Sequence, residues 1–377
     1  MKMPTDAIRE EIRQSGAIPF ARFMELALYC PETGYYERNR DNVGRRGDFI
    51  TSVSTGSLFG ELLAFQFAEW LEELRIANCE LRIIEAGAHD GKLAADILSW
   101  LKNHRPKLFR EIEYWILEPS LTRQQWQQKT LKPFANVRWF ADFENLKLET
   151  KNSKLPGVLF GNELLDAFPV RRLGWDAKAK NWFEWGVTLA GEKFIWTRMS
   201  GSLAPSDGER AGVRGCDPSA ICHLPSALLS VLPDGYVVEA SPAAENWWRD
   251  AVGVLSHGKL LTIDYGFTAE EQFSPARLNG TLRTYHHHHV SDDLLAQPGE
   301  QDLTAHVNFS AIQKTGEEAG LKTELFCTQP QFLTRILQKA VKEKSFADWN
   351  APRARQFQTL THPEHLGRAF RVLVQSR

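Results

Sequence analysis

The stretch LRIIEAGAHDGKLAADIL, residues 81–98, constrains this chain more than any other. An apolar run ends in Glu85, the chain turns through Gly87, Ala88, His89, Asp90 and Gly91, and an amphipathic helical pattern follows. That is a strand, a tight glycine turn and a helix, the repeating step of a parallel α/β sheet. In such sheets ligands bind outside the carboxyl ends of the strands, where glycines let them approach the backbone at a helix N-terminus. The segment is not a phosphate-binding loop, because Gly87 to Gly91-Lys92 is one residue short and runs on into Leu93. It also lacks the dinucleotide fingerprint, which needs glycine at position 89. What remains, E-x-G-x-x-x-G, is a candidate turn for a nucleotide-type cofactor, with a ligand-free strand-to-helix turn as the plain alternative.

The same rhythm continues along the chain. Ile112–Leu117, Val137–Phe140, Val158–Phe160, Tyr236–Ala240, Lys259–Asp264 and Thr323–Cys327 read as strands, each a short apolar run. Residues 92–104, 121–131, 242–255, 309–319 and 332–343 read as helices. Ahead of them, helical patterns at 5–13, 19–28 and 58–74 flank a loop rich in Gly, Asn and Arg. Between Arg171 and Met199, aromatic residues separated by polar ones predict an antiparallel hairpin or meander, and 201–215 reads as a linker. The expected fold is α/β, a doubly wound Rossmann-like sheet with a helical N-terminal region and a β-rich insertion. The expected division is 1–78 helical, 79–170 and 236–330 core, 171–235 inserted substrate region, and 331–377 a helical tail.

Two further acids follow the pattern set by Glu85. Glu118 closes the next strand, the position at which a carboxylate accepts hydrogen bonds from ribose hydroxyls. Asp142 follows the third strand, placed to receive an adenine amino group. Glu85, Glu118 and Asp142 on successive strands suit an adenosyl group carrying a sulfonium, although each singly is also a common helix-capping or solvated residue.

E-x-G-x-x-x-G resembles the first motif of class I S-adenosylmethionine methyltransferases, with His89 in place of the usual middle glycine. The resemblance extends through GYYERNRDNVGRRGDFITS, FGELL, LEPS, FGNELLDAFPV, LLTIDYG, GTLRTY and DLTAHVNFSAI, in one order from about residue 18 to residue 312. Together these look like the MidA-like methyltransferase family. The resemblance implies a class I methyltransferase core, S-adenosyl-L-methionine as cofactor and, from the mitochondrial members, a protein arginine as acceptor. It also implies that GRRGDFITS folds over the cofactor, with Asp48, Thr51 and Ser52 toward its methionine part. Gly87 and Gly91 give the close approach, and His89 is placed to hydrogen-bond the cofactor's carboxylate.

GNELLDAFPV follows the fourth strand, so Asn162, Glu163 and Asp166 sit where a methyl group would meet its acceptor. Glu163 and Asp166, three apart, are expected on one face of a helical turn. An arginine acceptor stays protonated, and carboxylates can hold its guanidinium through bidentate hydrogen bonds. The alternative is that Asn162 caps a helix whose positive end the acids favour. His306, in DLTAHVNFS, is a candidate general base or acceptor-orienting group, a structural histidine being the alternative; Asn308 replaces a more usual Asp.

Composition narrows the partners. Lys plus Arg, 45, nearly cancels Asp plus Glu, 47, so the chain has no overall charge for nucleic acid; charge leaves protein and small-molecule acceptors undecided, and a protein substrate is what the resemblance implies. No window approaches the ~18 apolar residues of a membrane span. Five scattered cysteines without a C-x-x-C pair point to a reducing compartment, and an N-terminus that meets acids at once argues against a secretory signal, so a cytosolic protein is expected. His286 to His289 cannot all face one ion, and no metal site is expected. Two rivals to arginine methylation stay open: another acceptor for the same chemistry, and a cofactor-binding assembly factor without turnover.

Overall fold

The computed structural model describes residues 3–38, 51–74, 80–199, 231–274, 277–286, 289–291, 293–346 and 349–377. The chain forms two compact units. One comprises Met1–Asn39, Asp166–Asn246 and Phe267–Ile312, and the other Arg40–Leu165, Trp247–Gly266 and Gln313–Arg377. The expected boundaries therefore shift: residues 1–78 are shared between the units rather than forming a region of their own.

The second unit is built on a sheet whose strands are β1 (Leu81–Ala86), β2 (Ile112–Leu117), β3 (Val137–Phe140), β4 (Leu155–Asn162), β5 (Leu255–Phe267), β6 (Lys322–Thr328) and β7 (Phe370–Ser376). Their spatial order is β6-β7-β5-β4-β1-β2-β3. β1 runs parallel to β2 and β4, β2 to β3, and β4 to β5, whereas β7 is antiparallel between β5 and β6. The order reverses between β1 and β4, the switch point at which doubly wound sheets open a crevice for ligands. β1 and β2 are almost wholly buried, which is why both read as continuous apolar runs rather than alternating ones.

Helix α1 (Leu58–Glu73) and helix α2 (Lys92–His104) cover this sheet. α2 buries Leu93, Ala94, Ile97, Leu98 and Leu101, a helical stripe, and ends before Pro106, whose ring disfavours helical geometry in the residue ahead of it. Phe67 of α1 packs on Phe160 of β4 with ring centroids 4.9 Å apart. Each fully buried side chain of this size contributes about 1.5–3 kcal/mol. Helices α3 (Leu121–Leu131) and α4 (Phe143–Glu149) follow β2 and β3. Helix α5 (Gln329–Lys342) starts three residues before the expected Phe332, because Thr328 and Gln331 form a reciprocal capping box. The tail is not helical throughout: after Ala351–Thr361 the chain returns as β7 into the sheet.

The other unit carries an antiparallel sheet. Arg171–Asp176, Asn181–Ala190 and Lys193–Arg198 form the expected meander, and Ile18–Pro19 pairs with Gly186 and Val187. Val237–Ala240, expected in the methyltransferase core, pairs instead with Arg171–Gly174. Helices Pro4–Ser15 and Phe20–Tyr29 bury Ile8, Ile12, Phe20 and Phe23 in one cluster with Val187 and Leu303. A smaller sheet joins Arg283–His286, His289–Ser291 and Asp302–Thr304. Among the described residues no helix is long and apolar enough to cross a membrane.

Candidate active site

The turn after β1 takes three left-handed residues in five positions: Gly87 at φ +73°, His89 at +47° and Gly91 at +82°. Glycine adopts such angles without penalty, and histidine is among the side chains that tolerate them best. His89 thus takes a left-handed angle that glycine adopts freely. A Cβ on Gly87 would lie 2.8 Å from Leu164 Cδ1, and one on Gly91 would lie 3.3 Å from Gln127 Cα. The turn is therefore pressed between the segment after β4 and helix α3. Asp90 Oδ1 accepts the Lys92 N–H at 3.0 Å, closing the turn onto α2.

Glu85, 2% exposed, accepts a 2.5 Å hydrogen bond at Oε2 from the Tyr114 hydroxyl of β2. Burial pushes its carboxyl up to about 8, against the pull of the tyrosine, with the charge of Asp90 adding to the rise. Glu118, 1% exposed, accepts the Ser120 N–H at 3.0 Å on Oε1 and the Gln127 amide at 3.0 Å on Oε2, and its Oε1 forms an ion pair with Arg123 Nε at 3.2 Å. Asp142 differs from both: it is exposed and caps α4, accepting from the Asn145 N–H at 2.7 Å. Capping, the ordinary role of an acid at this position, accounts for its described contacts.

The chain after β4 departs from the helical turn expected there. Glu163 takes φ +50°, which breaks the spacing to Asp166 before the short 3-10 turn Leu165–Ala167, so the two acids do not share a helical face. Glu163 Oε1 accepts the Ser52 N–H at 3.1 Å and the Asn162 amide at 3.2 Å. Burial pushes the Glu163 carboxyl up to about 8, and the nearby Asp264 charge adds to the rise while both hydrogen bonds oppose it. The other end of the Asn162 amide, Oδ1, is buried without a hydrogen-bond partner. Such an atom forgoes a bond worth about 1–3 kcal/mol, as a site awaiting a donor does.

The structure thus brings Thr51, Ser52, Asn162 and Glu163 together, and Glu85, Gly87, His89, Gly91 and Glu118 around the β1 turn. Thr51 and Ser54 exchange hydrogen bonds in a tight turn, and the buried Ser52 hydroxyl donates to Gln329 Oε1 at 3.2 Å. Asp48 lies outside the described residues. Asp166 and His306 belong to the other unit. There Ala305 donates its N–H to the Asp166 carbonyl at 2.9 Å, and the His306 ring stacks on Phe267 with centroids 4.6 Å apart. Asn308 caps its helix and donates to Gln272 Oε1 at 2.8 Å.

Sequence reading missed three residues. Asp264, fully buried on β5, accepts the N–H groups of Leu164 and Leu165 on Oδ2 at 3.1 and 2.8 Å, holding the turn that carries Glu163. An acid ending an apolar strand, as at Glu85, was its available signal. Tyr114 and Gln127 carried none, since a strand aromatic and a glutamine in a polar helix have no motif.

The family model described as "Putative S-adenosyl-L-methionine-dependent methyltransferase" matches residues 62–327. A Drosophila melanogaster relative named as the mitochondrial protein arginine methyltransferase NDUFAF7 homolog is 27% identical, over 97% of this chain and 83% of its own length. The human protein arginine methyltransferase NDUFAF7, mitochondrial, is also 27% identical, over 96% and 80%. A Burkholderia thailandensis crystal structure bound to S-adenosyl-homocysteine superimposes with a TM-score of 0.80 at 31% identity, covering 99% of this chain and 92% of that one. The mitochondrial names of the curated relatives overturn the cytosolic placement. Free cysteines separate reducing from oxidising compartments, not one reducing compartment from another. The cofactor is S-adenosyl-L-methionine, and the chain belongs to the S-adenosyl-L-methionine-dependent methyltransferase family.

Proposed function

We propose that this methyltransferase modifies a protein arginine side chain, with Asn162 and Glu163 handling the guanidinium. The observation that carries the reading is the acceptor-rich corner after β4. Asn162 Oδ1 is buried and unpaired, and both described hydrogen bonds to Glu163 fall on Oε1, which leaves Oε2 for an incoming donor. A guanidinium offers five N–H donors in a planar fork and no acceptor, the complement of such a corner. The arginine methyltransferase names of the relatives support the same acceptor.

The cofactor pocket in this reading is lined by Glu85, Gly87, His89, Gly91 and Glu118, with Thr51 and Ser52 on its methionine side. Two buried carboxylates and a turn whose glycines admit close approach fit a ligand carrying both an ammonium and a ribose diol. S-adenosyl-L-methionine supplies an electrophilic methyl group on a sulfonium and leaves as S-adenosyl-homocysteine. The protein's part is to orient and to move a proton. Glu163, poised near neutral pH, ionises when a cation arrives, aligns one guanidinium nitrogen for attack, and takes up the proton that nitrogen loses. Incubating the protein and cofactor carrying a labelled methyl group with cell extract tests this. Label is expected in protein as methylarginine after hydrolysis; label only in small molecules or in other side chains overturns the acceptor.

A further inference from the structure

Gln127 makes no motif, yet it is fully buried at the centre of the cofactor turn. Its Nε2 donates to the His89 carbonyl at 3.1 Å and to Glu118 Oε2 at 3.0 Å, while its Oε1 accepts the Trp139 indole N–H at 3.0 Å. The amide orientation is fixed by chemistry, because an indole can only donate and therefore must meet oxygen. Both amide hydrogens are then committed, one to the left-handed turn and one to the strand-end acid. Helix α3 thereby ties the ends of β1, β2 and β3 into one frame.

We propose that Gln127 is a positioning residue for the cofactor, acting through Glu118 and the His89 carbonyl. This rests on the reading of Glu118 as the ribose-binding carboxylate. The Ser120 N–H and the Arg123 ion pair hold Glu118 Oε1, and the Gln127 amide holds Oε2. Loss of the amide removes one of the bonds that fix the carboxylate about its terminal torsion, which is broad for an sp³–sp² bond. The same loss frees the His89 carbonyl from its anchor to α3, in a turn that holds three left-handed residues.

The test is calorimetry with S-adenosyl-homocysteine on wild type, Q127M, E118Q and the double variant. Q127M keeps side-chain length and removes the amide, and is expected to weaken binding about tenfold, the effect of losing a buried hydrogen bond. In the double variant the loss is expected to fall short of the product of the two single losses, because the two residues act partly in series. Full multiplication of the two losses, or Q127M binding within twofold of wild type, overturns the proposal. Where wild type binds and E118Q binds as tightly, the ribose reading itself falls and takes this one with it.

Q127E supplies a second readout that a purely structural role does not move. It retains the acceptor for Trp139 but sets a second carboxyl against Glu118, in a neighbourhood that also holds Arg123 and, on the turn, Asp90 and the His89 imidazole. Two carboxyls at hydrogen-bond distance share a proton. The ratio of Q127E to wild-type Kd is therefore expected to grow about tenfold from pH 6 to pH 8.5. A ratio constant with pH overturns the proposal, even where Q127M fails to fold.

Discussion

Two buried glutamates, one in each unit, show why burial alone does not make a site. Glu163 receives a backbone N–H and a neutral amide on one oxygen, beside an Asn162 oxygen left without a partner. Glu239 lies on an antiparallel strand in register with Arg172, accepts the N–H and hydroxyl of Thr281 on Oε2, and is closed off by Gly280, where a Cβ would lie 2.1 Å from Oε1. Burial raises both carboxyls, but the Arg172 and Arg283 charges pull Glu239 back down, whereas the charged neighbour of Glu163 is the acid Asp264. Glu239 faces the protein's own cations although its Oε1, like Asn162 Oδ1, is buried without a hydrogen-bond partner. Glu163 is arranged so that a cation from outside would lower its free energy.

The contrast can be broken first at the turn that shapes the cofactor unit. Gly87→Val places a branched side chain against Leu164 at a left-handed angle, and S-adenosyl-homocysteine affinity is expected to fall on the order of a hundredfold. Unchanged affinity in titration calorimetry moves the site away from β1. Glu239→Gln is expected to leave cofactor affinity within twofold and to lower stability in thermal denaturation by about 1–3 kcal/mol, as one buried hydrogen-bonding network is disturbed. Lost cofactor binding in that variant would erase the distinction between the two glutamates.

Smaller effects follow from pH. Glu85 and Glu163 rise from the ordinary 4.5 to about 8 on folding, so the folded protein holds protons that the unfolded chain releases. Their contribution to stability is thus greatest below pH 4.5, declines between 4.5 and about 8, and is level above that. Glu85→Gln is expected to flatten part of that decline for the unliganded protein. Binding of the cationic cofactor favours the ionised Glu85, so affinity is expected to increase with pH up to about 8 in wild type and less steeply in Glu85→Gln. A slope unaffected by the substitution would remove Glu85 from the pocket.

Much of the cofactor unit was legible in sequence because parallel strands covered on both faces are written as unbroken apolar runs. Leu81–Ala86 and Ile112–Leu117 are such runs, and their bounds coincide with β1 and β2. β4 was read too short: Gly157 looks like a breaker, but it lets β4 approach β1, where a Cβ would meet the Arg82 carbonyl at 2.1 Å. β7 was missed because it enters the sheet antiparallel from the far end of the chain, a pairing that no local pattern announces. The acids ending β1 and β2 were visible for the same reason as the strands. Their partners were not: Tyr114 and Gln127 meet them only once the strands and helix α3 are side by side. Asp142, an acid whose position suggests a ligand, makes described bonds that cap a helix.

The central claim is that Glu163 serves an arginine acceptor rather than the fold. The direct measurement is methylarginine formed in substrate protein by wild type and Glu163→Gln at saturating cofactor, with S-adenosyl-homocysteine affinity measured alongside. A fall in turnover of about a hundredfold with affinity within threefold is the expected result, in the range of losing a positioned acid–base group. Full turnover in Glu163→Gln, or equal loss of affinity and turnover, would contradict it.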